Sequence, residues 1–179
     1  MMKIRNVLFN DPEMSGIARL YKSVWDTSME DFLERFKRHA TYPGFRGIVA
    51  CQEEEIVGFA YGYTSMKGQY YHELLCESLS NTEQKVWLAD CFELVELVVD
   101  PSYRRNKIGE KLVAELIGNV SNQTALLTTQ MDNLAARNLY GKIDWEIIQE
   151  DFIPNNQAVP YVIMGKKLNG CTTGEETNA

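Results

Sequence analysis

Apolar positions recur at two different periods along this chain, and the changes between them mark out its elements. Residues 3–9, KIRNVLF, read as a first strand. Asp11 before Pro12 then reads as a helix cap, and Met14, Ile17, Ala18, Tyr21 and Val24 follow at helical spacing. Ser28 with Asp31 resembles a capping box, and Phe32, Leu33 and Phe36 form the stripe of a second helix, broken at Tyr42-Pro43-Gly44. Residues 46–53 and 56–65 read as two strands joined at Glu53-Glu54-Glu55. Residues 66–90 lose their period and predict a loop with one short helix around 82–90.

The second half is clearer. CFELVELVV, residues 91–99, is a strand ending at Asp100-Pro101. Ile108, Leu112, Val113, Leu116, Ile117 and Val120 mark an amphipathic helix. Residues 124–130 form a strand, and Asp132 or Asn133 caps a helix carrying Leu134, Ala135, Leu139 and Tyr140. Two strands, 145–152 and 159–168, end the domain of residues 1–168, and the polar tail 169–179 is expected to be disordered. The order β-α-α-β-β then β-α-β-α-β-β predicts an α/β (α+β) chain with a mixed sheet of about seven strands and helices on both faces.

Composition narrows the function. The chain of 179 residues carries 18 Lys+Arg and 25 Asp+Glu, a net charge of −7, which argues against a nucleic-acid partner. No apolar run approaches the ~20 residues of a membrane span, and the N-terminus MMKIRNVLFNDPE has no signal-peptide apolar region, so a cytoplasmic protein with no membrane partner is expected. Cys51, Cys76, Cys91 and Cys171 form no C-x-x-C pair, and His39 and His72 lack ligand spacing, so no metal is expected.

The candidate chemistry lies in VVDPSYRRNKIGEKLVAELI, residues 98–117. A strand ends, a loop carries Arg104, Arg105 and Lys107, and a helix starts at Ile108-Gly109. Unpaired N–H groups and the positive end of the helix dipole favour phosphate oxygens there. The loop lacks both the G-x-x-x-x-G-K-[ST] and the G-x-G-x-x-G pattern, which leaves NTP and NAD binding unsupported.

Arg104-Arg105-Asn106-Lys107-Ile108-Gly109 resembles the acyl-CoA signature [R/Q]-x-x-G-x-[G/A] of the GNAT superfamily of N-acetyltransferases, with Lys107 in place of the middle glycine. Asn133, Ala136 and Tyr140 resemble that family's N-x-x-A-x-x-x-Y helix, and Asp144-Trp145 stands where the family has Gly-Phe. The resemblance implies a sheet splayed between its fourth and fifth strands, with acetyl-CoA as cosubstrate between them. It implies that Leu97, Val98 and Val99 orient the pantetheine, that backbone N–H groups from Arg105 to Glu110 hold the pyrophosphate, and that an N–H near Val98 faces the oxyanion. Tyr140 is the implied general acid.

Glu96 is the candidate base, with Glu93 the other carboxylate of the same strand. Strict alternation puts the two on opposite faces, and a bulge would change that phase. A carboxyl partly buried there has a raised pKa suited to accepting a proton. The expected acceptor is a primary amine of a small molecule or peptide, bound by residues 24–45, 61–90 and 150–160, where Trp25, Tyr61, Tyr63, Gln69, Tyr70, Tyr71, His72 and Glu73 lie. Aromatics with carboxylates suit a cation, and the acidic balance of the chain favours its approach. The competing reading is an acyl-CoA-binding regulatory module without catalysis. Asn133 also serves as a helix cap in either reading. A homodimer is the protein partner that the resemblance allows.

Overall fold

A computed structural model describes residues 1–156 and 158–168; the tail expected to be disordered lies outside the described residues. The strands are β1 (Lys3–Asn6), β2 (Arg46–Gln52), β3 (Glu55–Ser65), β4 (Cys91–Val99), β5 (Thr124–Gln130), β6 (Glu146–Phe152) and β7 (Tyr161–Lys167). The helices are α1 (Asp11–Val24), α2 (Met29–His39), α3 (Tyr70–Ser78), α4 (Asn81–Trp87), α5 (Ile108–Ile117) and α6 (Leu134–Lys142). All seven strands join one sheet in the order β1-β2-β3-β4-β5-β7-β6. Only β4 and β5 run parallel, with α5 as their crossover, as the element order predicts.

The apolar stripes explain the layers. One face of the sheet buries Ile108, Leu112 and Leu116 of α5 against Ile48, Ala60 and Leu94. The other buries Ile17 of α1 and Phe32 and Phe36 of α2 against Phe59 and Tyr61. A third cluster seats Leu75, Leu79 and Trp87 on Leu126 and Ile163. Each fully buried side chain of this size contributes about 1.5–3 kcal/mol, so the three clusters fix the helices that flank the site.

Three local expectations are corrected. The cap of α1 is Asn10, whose Oδ1 accepts from the Glu13 N–H at 3.0 Å; Asp11 is already helical. The first strand stops at Asn6 because Glu13 draws the chain away: its carboxylate accepts the Leu8 N–H at 2.6 Å and pairs with Arg5 at 2.7 Å. Residues 66–90 hold two helices rather than one. Ser80 and Glu83 form a capping box at the start of α4. The start of α3 at Gln69 has no side-chain cap hydrogen bond, which is why the sequence signals it weakly.

Candidate active site

The parallel pair is joined over a short stretch. Cys91, Phe92 and Glu93 of β4 register with Thr124, Ala125 and Leu126 of β5, and there the pairing ends. Beyond it β5 stays paired to β7 as far as Gln130, while β4 stays paired to β3 as far as Val99. The sheet therefore opens on the β4–β5 side. A strand edge with free N–H and C=O groups accepts an extended, amide-bearing ligand as though it were a further strand.

A bulge sits at the opening. Tyr61 registers with Glu96 and Gly62 with Leu94, leaving Val95 as the extra residue. Gly62 is required beside it, because a Cβ there would collide with the Glu93 carbonyl oxygen. The bulge shifts the alternation, and both Glu93 and Glu96 line one cleft of about 720 Å³ between the strands. That is an ordinary size for a small-molecule site.

The two carboxyls have different surroundings. The Glu96 Oε1 accepts from Arg35 Nη2 at 3.0 Å and from the Tyr21 hydroxyl at 3.2 Å. Burial pushes its pKa up to about 7, with Arg35 and Tyr21 pulling the other way. Glu93 is 4% exposed, and its Oε2 is buried with no hydrogen-bond partner among the described residues. Burial raises its pKa to about 8, offset in part by the Ser65 hydroxyl.

Tyr140 of α6 reaches the same cleft and packs on Trp145, ring centroids 5.6 Å apart. Burial, and then the charge of Glu96, raise its pKa, so the phenol keeps its proton at neutral pH. Asn133 caps α6, accepting from the Ala136 N–H at 3.1 Å, and both residues line the cleft. Leu97 lines it too. Val98 instead points into the α1–α2 core, so only its backbone is available to a ligand.

The anion loop lies beyond the end of β4. Arg105 and Lys107 both have left-handed φ, +65° and +59°, with Asn106 between them outside that region. Such alternation lines up N–H groups into an anion-binding concavity. Lys107 thus holds the backbone position where a glycine is favoured, at a cost of about 1–2 kcal/mol. Asp144, where the resembled pattern has glycine, is likewise left-handed at φ +68°. Both departures keep the backbone and change only the side chain. Arg104 donates its Nε–H to the Val99 carbonyl at 3.4 Å, and Glu110 pairs with Lys142 at 2.8 Å. Ile108 is core, and Gly109 lies against Leu139 and Leu97, where a Cβ would be tight at 3.3 Å from Leu139.

The acceptor side is assembled from distant segments. Trp25, Tyr63, Tyr70 and Tyr71 reach the cleft as expected. Tyr61 does not; it is fully buried and its hydroxyl meets His39 Nδ1 at 3.1 Å. Gln69 braces its own loop, His72 meets Ser65, and Glu73 accepts from the Gly68 N–H. Tyr21 and Tyr161 lie outside the segments that the sequence assigned to the acceptor, and Arg35, Arg38 and Tyr42 lie inside segment 24–45 without having been singled out. Arg35, Arg38 and His39 stand at i, i+3 and i+4 of α2, a spacing that marks one helix face and was readable.

A mixed sheet split beside a helix start, with two buried carboxyls and a tyrosine in the split, is the arrangement that the resemblance to N-acetyltransferases implies. The sequence profile of the acetyltransferase (GNAT) family matches residues 12–145, and the chain belongs to that family. No curated protein sequence matches it. Solved structures share the fold at low identity. The ribosomal-protein-S18-alanine N-acetyltransferase from Escherichia coli aligns over 100% of this chain and 99% of its own, TM-score 0.67, 16% identity. The structure of yncA from Salmonella typhimurium with its cofactor acetyl-CoA aligns over 98% and 99%, TM-score 0.67, 13% identity. An aminoglycoside 6'-N-acetyltransferase complexed with coenzyme A aligns over 92% and 96%, TM-score 0.68, 19% identity. The protein is a GNAT-family acetyltransferase, and acetyl-CoA is the cosubstrate that the family resemblance implies. Its residues fit that cosubstrate: the open edge of β4 suits the pantetheine amides, and the left-handed loop before α5 suits the pyrophosphate. Among the described residues no helix is long and apolar enough to cross a membrane.

Proposed function

We propose that this acetyltransferase moves the acetyl group to a primary amine of a small molecule or peptide by direct attack. The observation that carries the reading is Glu93 Oε2, a buried carboxyl oxygen without a partner, in the same cleft as Tyr140. An ammonium donor satisfies that oxygen, and carboxyls left bare in apolar surroundings are costly unless a ligand completes them. The named acceptors of the structural relatives, a ribosomal-protein alanine and an aminoglycoside, are both amines, and the fold does not choose between them.

Acetyl-CoA supplies a thioester, and the chain's residues do the rest. The backbone of Leu97, Val98 and Val99 orients the pantetheine, and an N–H of that stretch faces the carbonyl oxygen. The N–H groups of Arg105 to Glu110 hold the pyrophosphate. Asn133 and Ala136 border the thioester end. In its ionised form Glu93 takes the proton from the acceptor ammonium, and its pKa, raised by burial to about 8, brings it nearer to that of the amine. Glu96 is the second candidate base; its oxygen is already held by Arg35 and Tyr21, which suits it to set the charge of the cleft. Tyr140 offers its O–H to the leaving sulfur.

The experiment is acetyl-CoA binding by calorimetry with turnover followed by thiol release, on wild type and on Tyr140→Phe, Glu93→Gln and Glu96→Gln. Binding kept in all four, with turnover lost in Tyr140→Phe and in one glutamine variant, supports the enzyme and identifies the base. An unchanged pH–rate profile in Glu96→Gln removes Glu96 from that role. Binding without turnover of any amine by wild type would leave the acyl-CoA-binding regulatory module.

A further inference from the structure

The charge of the cleft differs from the charge of the chain. The cleft has no aspartate and no lysine among its lining residues; the carboxyls and guanidiniums that line it are Glu93, Glu96, Arg35 and Arg38. Glu96 is taken by Arg35 at 3.0 Å. Arg38, one helical turn further along the same face of α2, joins none of the four ion pairs of the described residues and stands at the exposed rim. His39 adds no positive charge: burial, and then Arg35 and Arg38, lower its pKa to about 4. The cleft therefore holds one carboxyl outside any ion pair, buried, and one guanidinium outside any ion pair, exposed.

Aromatic rings close the sides. Trp25, Tyr42, Tyr63, Tyr70, Tyr71 and Tyr161 line the space between these charges. Trp25 is 37% exposed and Tyr70 64% exposed, so both stand at the mouth.

Resting on the proposed amine transfer, we infer that the acceptor is a primary amine with one positive charge, a flat apolar body and a carboxylate. Its ammonium sits on Glu93 and its carboxylate on Arg38. A polyamine is disfavoured: once the reacting amine occupies Glu93, a second ammonium finds Glu96 already paired and meets Arg38 instead. Like charges placed together reject the wrong partner, and opposite ones select the right one. The carboxylate can belong to a free aromatic amino acid or to an acidic residue behind a peptide N-terminus.

Two matched pairs test this, each differing by one carboxylate: phenylalanine against phenylalaninamide, and Phe-Asp-amide against Phe-Asn-amide. Spermidine is the polycation. The readout is kcat/KM by thiol release, in wild type and in Arg38→Glu. Comparing the two proteins cancels the difference in amine basicity within a pair. In at least one pair, the preference for the carboxylate member is expected to fall by about tenfold or more in Arg38→Glu, the scale of a charge reversal beside a bound ion. Which pair responds identifies the source. Spermidine is expected at least about tenfold below the better carboxylate substrate. The inference is overturned if both preferences are the same in the two proteins, or if spermidine is the better substrate. It is also overturned if wild type acetylates only the members that lack the carboxylate. If no amine turns over although acetyl-CoA binds, the proposed function fails first.

Discussion

In the reaction we propose, the two sides of the cleft hold their ligands by different means. On the thioester side the ligand meets backbone: the free edge of β4 beyond Glu93 and the N–H groups ahead of α5. On the acceptor side it meets side chains: Arg35 and Arg38 from α2, Tyr70 and Tyr71 from α3, Tyr161 from β7. A backbone site tolerates substitution as long as the φ angles survive, which is why Lys107 and Asp144 stand where glycines are favoured. A side-chain site changes its ligand with each residue. One side is thus suited to a fixed cosubstrate and the other to a specific acceptor.

The largest expected effect sharpens this division at its boundary. Tyr140→Phe should lower kcat by about 10²-fold or more while the acetyl-CoA dissociation constant moves by less than about threefold. Steady-state kinetics with calorimetry checks it; a parallel loss of binding would put Tyr140 on the cosubstrate side.

Next comes Gly62→Ala, which sets a Cβ against the Glu93 carbonyl and forces the bulge to shift. It should cost about 1–3 kcal/mol of stability, as overpacking does. Acceptor turnover should fall further than acetyl-CoA affinity, because Glu93 and Glu96 lose their common face. Thermal melts and calorimetry read the two effects separately.

A third prediction uses pH. Arg35→Leu removes the cation that holds the Glu96 pKa down, so the acid limb governed by Glu96 should move above pH 7. Glu93 gives a stability effect. Its folded pKa, about 8, lies above the ordinary carboxyl value, so the folded state binds the extra proton. Stability should therefore fall as pH rises from about 5 to 8, by at most about 1.4 kcal/mol per unit for one proton. Glu93→Gln should flatten that decline in melts taken across the range.

The smallest effect tests the tolerance of the backbone side. Lys107→Gly relieves a left-handed side chain but adds the entropy of glycine, for a net gain of about 0–1 kcal/mol. Acetyl-CoA affinity should stay within about threefold, since the N–H is retained. A larger loss would show that the Lys107 ammonium itself holds phosphate.

The legibility of the sequence follows the same division. The strand–loop–helix of residues 91–117 and the Asn133–Tyr140 helix were readable because their roles depend on local capping, period and φ. The acceptor wall was not, since Tyr21, Arg35 and Tyr161 lie far apart in sequence and meet only through packing. The −7 net charge says little of the cleft, whose lining carries two carboxyls and two guanidiniums. Net charge is a sum over the whole surface, and a buried cleft responds to the few groups within its own low-dielectric walls.

By itself, then, the sequence determined the element order, the parallel crossover and the helix-start anion loop, because hydrophobic period and turn chemistry act over a few residues. Only the tertiary structure decided which glutamate stays open. Alternation alone sends Glu93 and Glu96 to opposite faces, and one extra residue at Val95, admitted by Gly62 on the neighbouring strand, brings them to the same one. Arg35, arriving from α2, then occupies Glu96 and leaves Glu93 Oε2 without a partner among the described residues.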